Sequence, residues 1–147
     1  MAPLTLGPVH HIRLTVTDLE RSKAFYTEVL GFQVAMDTLP PEDDESYGLL
    51  AESLQGGLVL MNAGTFIGLR ACDAARQSDK DSFDPFRVGL DHMSWTVESR
   101  DVLEAAMAQL EEQGIPHGGI TELTPFGIAL LPFKDPDGIQ LEICAPL

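Results

Sequence analysis

One short phrase occurs twice in this chain, and it sets the architecture before any local assignment. His11-Ile12-Arg13-Leu14-Thr15-Val16-Thr17 runs into a helix-like segment, and His92-Met93-Ser94-Trp95-Thr96-Val97-Glu98 does the same. Each copy opens with a histidine and alternates with period two, the pattern of a half-buried strand. An internal repeat implies two equivalent units, here a module over about 7–72, a linker over 73–87 and a second module over 88–147. Within the first module Asp18 offers an N-cap, Leu19, Ser22, Tyr26, Val29 and Leu30 recur at helical spacing, and Gly31 ends the helix. The second follows suit: a strand over 90–98, Ser99 as N-cap, then Leu103, Ala106, Met107 and Leu110 on one face, stopped by Gly114 and Pro116. Shorter strand-like runs come next, near 32–37, 47–52, 57–61 and 66–71, then near 119–123, 127–133 and 139–144. Asp135-Pro136-Asp137-Gly138 forms a turn before the last. The acidic, Pro-rich stretch 39–46 reads as a loop, and Phe25, Tyr26 and Trp95 as core.

Bulk properties exclude some partners. With 147 residues the chain is long enough for one domain's core. A net charge of −14 speaks against nucleic acid or an anionic membrane surface, both of which need a basic footprint. Cys72 and Cys144 show no paired framework, which fits a reducing, cytoplasmic setting. The stretch Met1–Pro8 has neither a basic start nor a long apolar run, so no signal peptide or membrane span is expected.

Strand alternation says where the histidines point. Ile12, Leu14 and Val16 form a core face, leaving His11, Arg13 and Thr15 on the other. In the second copy Met93, Trp95 and Val97 are core, and His92, Ser94 and Thr96 lie opposite. In the last strand Ile139, Leu141 and Ile143 are core, so Gln140, Glu142 and Cys144 face as the histidines do. A carboxylate there needs a partner, because burying it unpaired is expensive. Two imidazoles and one carboxylate are a common ligand set for catalytic divalent metals. Arg13, and Arg70 by alignment of the repeats, are two of only nine basic residues. Facing the site, they are candidates for binding a substrate oxygen anion or stabilising developing charge. Thr15, Ser94, Thr96 and Gln140 are candidate orienting groups for a small-molecule substrate.

At these residues the chain resembles the vicinal oxygen chelate superfamily, which includes glyoxalase I, extradiol dioxygenases, methylmalonyl-CoA epimerase and fosfomycin-resistance proteins. The matching text is Val9-His10-His11-Ile12, Asp18-Leu19-Glu20-Arg21-Ser22 and Phe25-Tyr26-Thr27-Glu28-Val29-Leu30-Gly31-Phe32. To this the second module adds Leu90-Asp91-His92-Met93 and Asp135-Pro136-Asp137-Gly138-Ile139-Gln140-Leu141-Glu142. The resemblance implies an α+β fold: two βαβββ modules whose curled mixed sheets form an open cup, with helices outside. It implies a divalent metal (Fe, Ni, Zn or Mn) on His11, His92 and Glu142, and a homodimer. The family's frequent fourth ligand falls on Gly68, which cannot ligate. The tyrosine of its extradiol dioxygenases falls near Pro132, and His117 is the one spare histidine for their second shell. The resemblance thus implies a glyoxalase-like lyase or isomerase acting on a small oxygenated metabolite, with an Fe(II) ring-cleaving dioxygenase as the alternative. A metal-free antibiotic-binding protein is a third reading, against which the His/His/Glu set counts.

Overall fold

The structure is a computed structural model that describes residues 4, 6–77 and 82–147. Met1, Ala2, Pro3 and Thr5 of the N-terminal stretch, and Ser78, Asp79, Lys80 and Asp81 of the expected linker, lie outside the described residues. The chain divides into two compact units, Met1–Gln77 and Ser78–Leu147.

The first unit is built on strand β1 (His11–Val16), helix α1 (Leu19–Ala24), β2 (Gln33–Met36), α2 (Tyr47–Leu54), β3 (Leu58–Asn62) and β4 (Thr65–Ala71). Its sheet order is β1-β4-β3-β2, with β1 parallel to β4 and the other pairs antiparallel. Asp18 caps α1 by accepting from the Arg21 amide at 3.0 Å. The expected helix over 19–30 then changes character, since Phe25–Val29 forms a π-turn before Gly31 (φ 70°) ends it. That wider turn leaves Phe25 and Tyr26 buried, edge-to-face with each other at 5.4 Å, and Tyr26 likewise meets Phe32 at 6.1 Å.

One expectation is overturned. Residues 47–52 are not strand but the start of helix α2, so a second helix sits between β2 and β3. The Asp44 carboxylate prepares its entry by accepting from the Ser46 hydroxyl and amide, which hold its pKa below the ordinary aspartate value. Gln55, in the left-handed conformation, closes the helix. The physical reason is spacing: Leu50 is part-buried and Leu54 buried four residues on, a helical interval, while Leu49 is exposed.

The second unit repeats the plan, with a three-residue 3-10 turn (Thr124–Phe126) at the place that α2 takes in the first. Strand β5 (Met93–Thr96), helix α3 (Arg100–Glu112), β6 (Thr121–Leu123), β7 (Ile128–Lys134) and β8 (Gln140–Pro146) follow one another. The order is β5-β8-β7-β6, again with the first pair parallel. The strand expected over 90–98 is shorter, at 93–96, so His92 stands just ahead of it and Val97 just beyond. Its parallel partner explains the late start: Met93 pairs with Leu141, and β8 begins only at Gln140, after the turn. In that turn the buried Asp135 carboxylate accepts from the amides of Asp137 and Ile139 at 2.9 and 2.8 Å, and Gly138 takes φ 80°. Trp95 is a second correction, being half-buried rather than core. Met93, Leu103, Leu110, Leu131, Phe133 and Leu141 form this unit's interior.

Ser22 on α1 is fully buried, and its hydroxyl has no hydrogen-bond partner among the described residues. An unsatisfied hydroxyl is a net liability. Ser22→Ala is expected to raise stability by up to about 1 kcal/mol, read as a higher urea midpoint at unchanged m-value. A loss of stability would show that the hydroxyl is solvated or bonded in solution.

Candidate metal and substrate site

The two halves carry the same ladder in the same register. Arg13 lies opposite Gly68 and Thr15 opposite Arg70 in the first. Ser94 lies opposite Glu142 and Thr96 opposite Cys144 in the second. Gly68 is therefore the structural counterpart of Glu142, and Arg13 of Ser94. The faces follow alternation: Leu14 and Val16 are buried, while His11, Arg13 and Thr15 are exposed; Met93 is buried, while Ser94 and Thr96 are exposed.

Each of the three candidate ligands has one polar atom held by a neighbour. In the second unit the Nδ1–H of His92 donates to the adjacent Asp91 carboxylate at 2.5 Å. That bond fixes the tautomer and leaves the Nε2 lone pair as the ring's donor atom. A carboxylate behind the imidazole is the usual support of a metal-binding histidine. Glu142, half-buried, accepts from the Ser94 hydroxyl at 2.9 Å through Oε1. In the first unit the Nδ1 atoms of His10 and His11 lie 3.0 Å apart, so one ring donates and the other accepts. His10 also stacks on Phe66, centroid to centroid 5.4 Å at 19°. These are hard and borderline donors of a type that suits a divalent first-row ion. His11 belongs to one unit, His92 and Glu142 to the other. Among the described residues no three His, Cys, Asp or Glu side chains form a ready cluster.

The two arginines have partners that sequence did not indicate. Arg13 donates from Nη1 to the carbonyl of Ser53 at 2.7 Å and from Nη2 to that of Leu54 at 3.0 Å. Its stem crosses Gly68, where a Cβ would come within 2.9 Å of Arg13 Cγ. Arg70 donates from Nε to the Thr15 hydroxyl at 3.2 Å and from Nη1 to the Gln55 side-chain oxygen. Both guanidinium groups thus hold the C-terminal end of α2, where helix carbonyls carry partial negative charge. No acidic side chain is their partner in these bonds.

Beside His11 lies a pocket of about 230 Å³ whose walls include His10, Arg13, Leu54, Phe66 and Gly68. In the second unit Gln140 shares a larger cavity, about 420 Å³, with His117, Pro132 and Lys134. His117 is bridged to Phe133, accepts at Nδ1 from the Gly119 amide at 3.1 Å, and places Nε2 3.6 Å from Glu111. Pro132 stands directly opposite Glu142. The Thr96 hydroxyl and the Cys144 sulfur are 3.9 Å apart. Both cysteines are free thiols, and among the described residues no helix is long and apolar enough to cross a membrane.

Comparison with known proteins matches this architecture. A family model described as "Glyoxalase/Bleomycin resistance protein/Dioxygenase superfamily" covers residues 9–143. The "Uncharacterized protein YwkD" of Bacillus subtilis is 34% identical over 140 residues, spanning 95% of this chain and 98% of that protein. The "Glyoxylase I 4" of Arabidopsis thaliana is 30% identical over 144 residues, spanning 97% and 72%. A solved glyoxylase/bleomycin resistance protein/dioxygenase domain from Frankia sp. EAN1pec superposes with a TM-score of 0.73 at 28% identity, covering 97% of this chain and 94% of that one.

Proposed function

The chain belongs to the glyoxalase/bleomycin resistance protein/dioxygenase superfamily, and we propose that it is one of the enzymes there, a divalent-metal-dependent, glyoxalase-like lyase or isomerase. In this reading His11, His92 and Glu142 hold the ion, and the substrate is a small oxygenated metabolite. A bound divalent ion supplies Lewis acidity and lowers the pKa of coordinated water.

The protein's own groups do the rest. Asp91 fixes the tautomer of His92, and Ser94 pins one oxygen of Glu142, so both ligands are pre-oriented. Thr96 and Gln140 share the site face of the second unit and are positioned to orient substrate. The observation that carries the lyase or isomerase reading is Pro132 opposite Glu142. A prolyl ring at that position offers neither a proton nor a hydrogen-bond donor to the substrate. The donor set itself favours the second reading, an Fe(II) ring-cleaving dioxygenase, because two histidines and one carboxylate are its usual ligands.

The test is metal content of protein purified without chelator or affinity-tag metal, followed by assay. Stoichiometric nickel, zinc or manganese with turnover of 2-oxoaldehyde–thiol adducts or epimerisable acids supports the first reading. Stoichiometric iron with oxygen uptake on catechols replaces it by the second. No metal after reconstitution overturns both and leaves a small-molecule binding protein.

A further inference from the structure

Helix α2 stands where the second unit has only the three-residue turn Thr124–Phe126, and it ends against the face that carries His11. Two cations fix it there. Arg13 reaches across Gly68 to the last two helical carbonyls, and Arg70 holds the capping Gln55. We propose that α2 is a specificity wall and Arg13 its positioning residue, and that together they restrict the pocket beside His11 to a small, uncharged ring or branched aliphatic group. The inference rests on the reading above only in taking His11 as the place where that group meets the reacting centre.

Three features point to an uncharged group. Apart from His10, His11, Arg13 and Ser53, the lining residues are apolar or glycine, among them Leu54, Val59 and Phe66. Arg13 directs two of its nitrogens at carbonyl oxygens, so its charge is already compensated by the helix end. A carboxylate would have to displace those bonds, against a chain of net charge −14. Size follows from volume. At about 230 Å³ the pocket is below the range for drug-sized ligands and suits a single ring. The stacked His10 and Phe66 give that ring an aromatic wall.

The test uses the full chain with phenol and benzoate as probes, followed by amide shifts of Leu54, Phe66 and Gly68. Phenol is expected to shift these resonances saturably, and benzoate to leave them unmoved at equal concentration. Arg13→Met, which keeps the stem and loses the fork, should weaken phenol about tenfold. Arg13→Lys, still able to reach one carbonyl, should recover most of the loss. A purely structural role would not produce this Lys rescue together with discrimination between the two probes. Benzoate binding as tightly as phenol, and lost in Arg13→Met or Arg13→Lys, would overturn the proposal by making Arg13 an anion receptor. Absence of any phenol-induced shift overturns it as well. The same titration on Glu142→Ala separates the two readings. Phenol binding there with no metal bound leaves α2's role standing whatever becomes of the enzyme.

Discussion

On the proposed function, Glu142→Ala is expected to abolish divalent-ion binding while leaving the fold intact. The residue is half-buried on β8, and its carboxylate accepts a hydrogen bond from the Ser94 hydroxyl. In the proposed ligand set it is one of three ligands and the only anionic one, so affinity should fall by more than the ten- to hundredfold typical of a supporting residue. Ser94→Ala and Asp91→Asn provide that lower step. Each leaves the three proposed ligands in place and loosens one, so each should weaken binding by about ten- to hundredfold. Isothermal titration with zinc or manganese, beside thermal unfolding of the metal-free proteins, reads both quantities. Equal affinities for wild type and Glu142→Ala would remove this residue from the ligand set.

The largest effect on stability is expected at a glycine with no chemical role. At Gly57 an added Cβ would stand 2.1 Å from the Leu69 carbonyl oxygen and 3.0 Å from Arg70 Cβ. The obstacle is backbone of the paired strand, held in register by Leu58 opposite Leu69, and it has nowhere to move. Gly57→Ala should therefore exceed the usual 1–3 kcal/mol of overpacking, at about 3 kcal/mol or more. For a chain of this length that corresponds to at least about 6 °C in Tm. Gly68→Ala is the contrast. Its Cβ would meet only the stem of Arg13, a flexible side chain, so the smaller loss should fall on the Arg13–α2 bonds rather than on the sheet. Similar denaturation midpoints for the two variants would show that β3 and β4 can separate locally, contrary to this account.

What the sequence disclosed, and what it hid, divides along sequence distance. The repeated histidine phrase, the capping Asp18 and Ser99 and the Asp135–Gly138 turn are local signals, and each corresponds to an element or turn in the structure. Period-two alternation predicts which residues of β1 and β5 share a face, because a strand's geometry allows little else. Helix α2 was hidden because Leu49-Leu50-Ala51 is a short apolar run, equally compatible with strand, and Gly48 weakens the helical pattern. The partners of Arg13 were hidden because Ser53 and Leu54 lie about forty residues away in sequence, and backbone carbonyls leave no trace in composition. A helix-termination signal, Leu54 followed by Gln55-Gly56, was the available clue to where a cation would be wanted. Likewise nothing local announces that β5 starts after His92, since that depends on where β8 runs out of pairing residues.

The matched ladders of the two halves have one more consequence. Arg13/Gly68 and Ser94/Glu142 occupy equivalent rungs, so the molecule holds one ladder position filled in two ways. One copy carries an acid and a short hydroxyl; the other carries a glycine crossed by an arginine that reaches the end of α2. A hydroxyl on that rung steadies a carboxylate, whereas a glycine there lets a long side chain lie across the sheet and tie it to a helix end. A substitution on one rung therefore leaves the hydrogen bonds of the other in place, so the two halves can be altered one at a time.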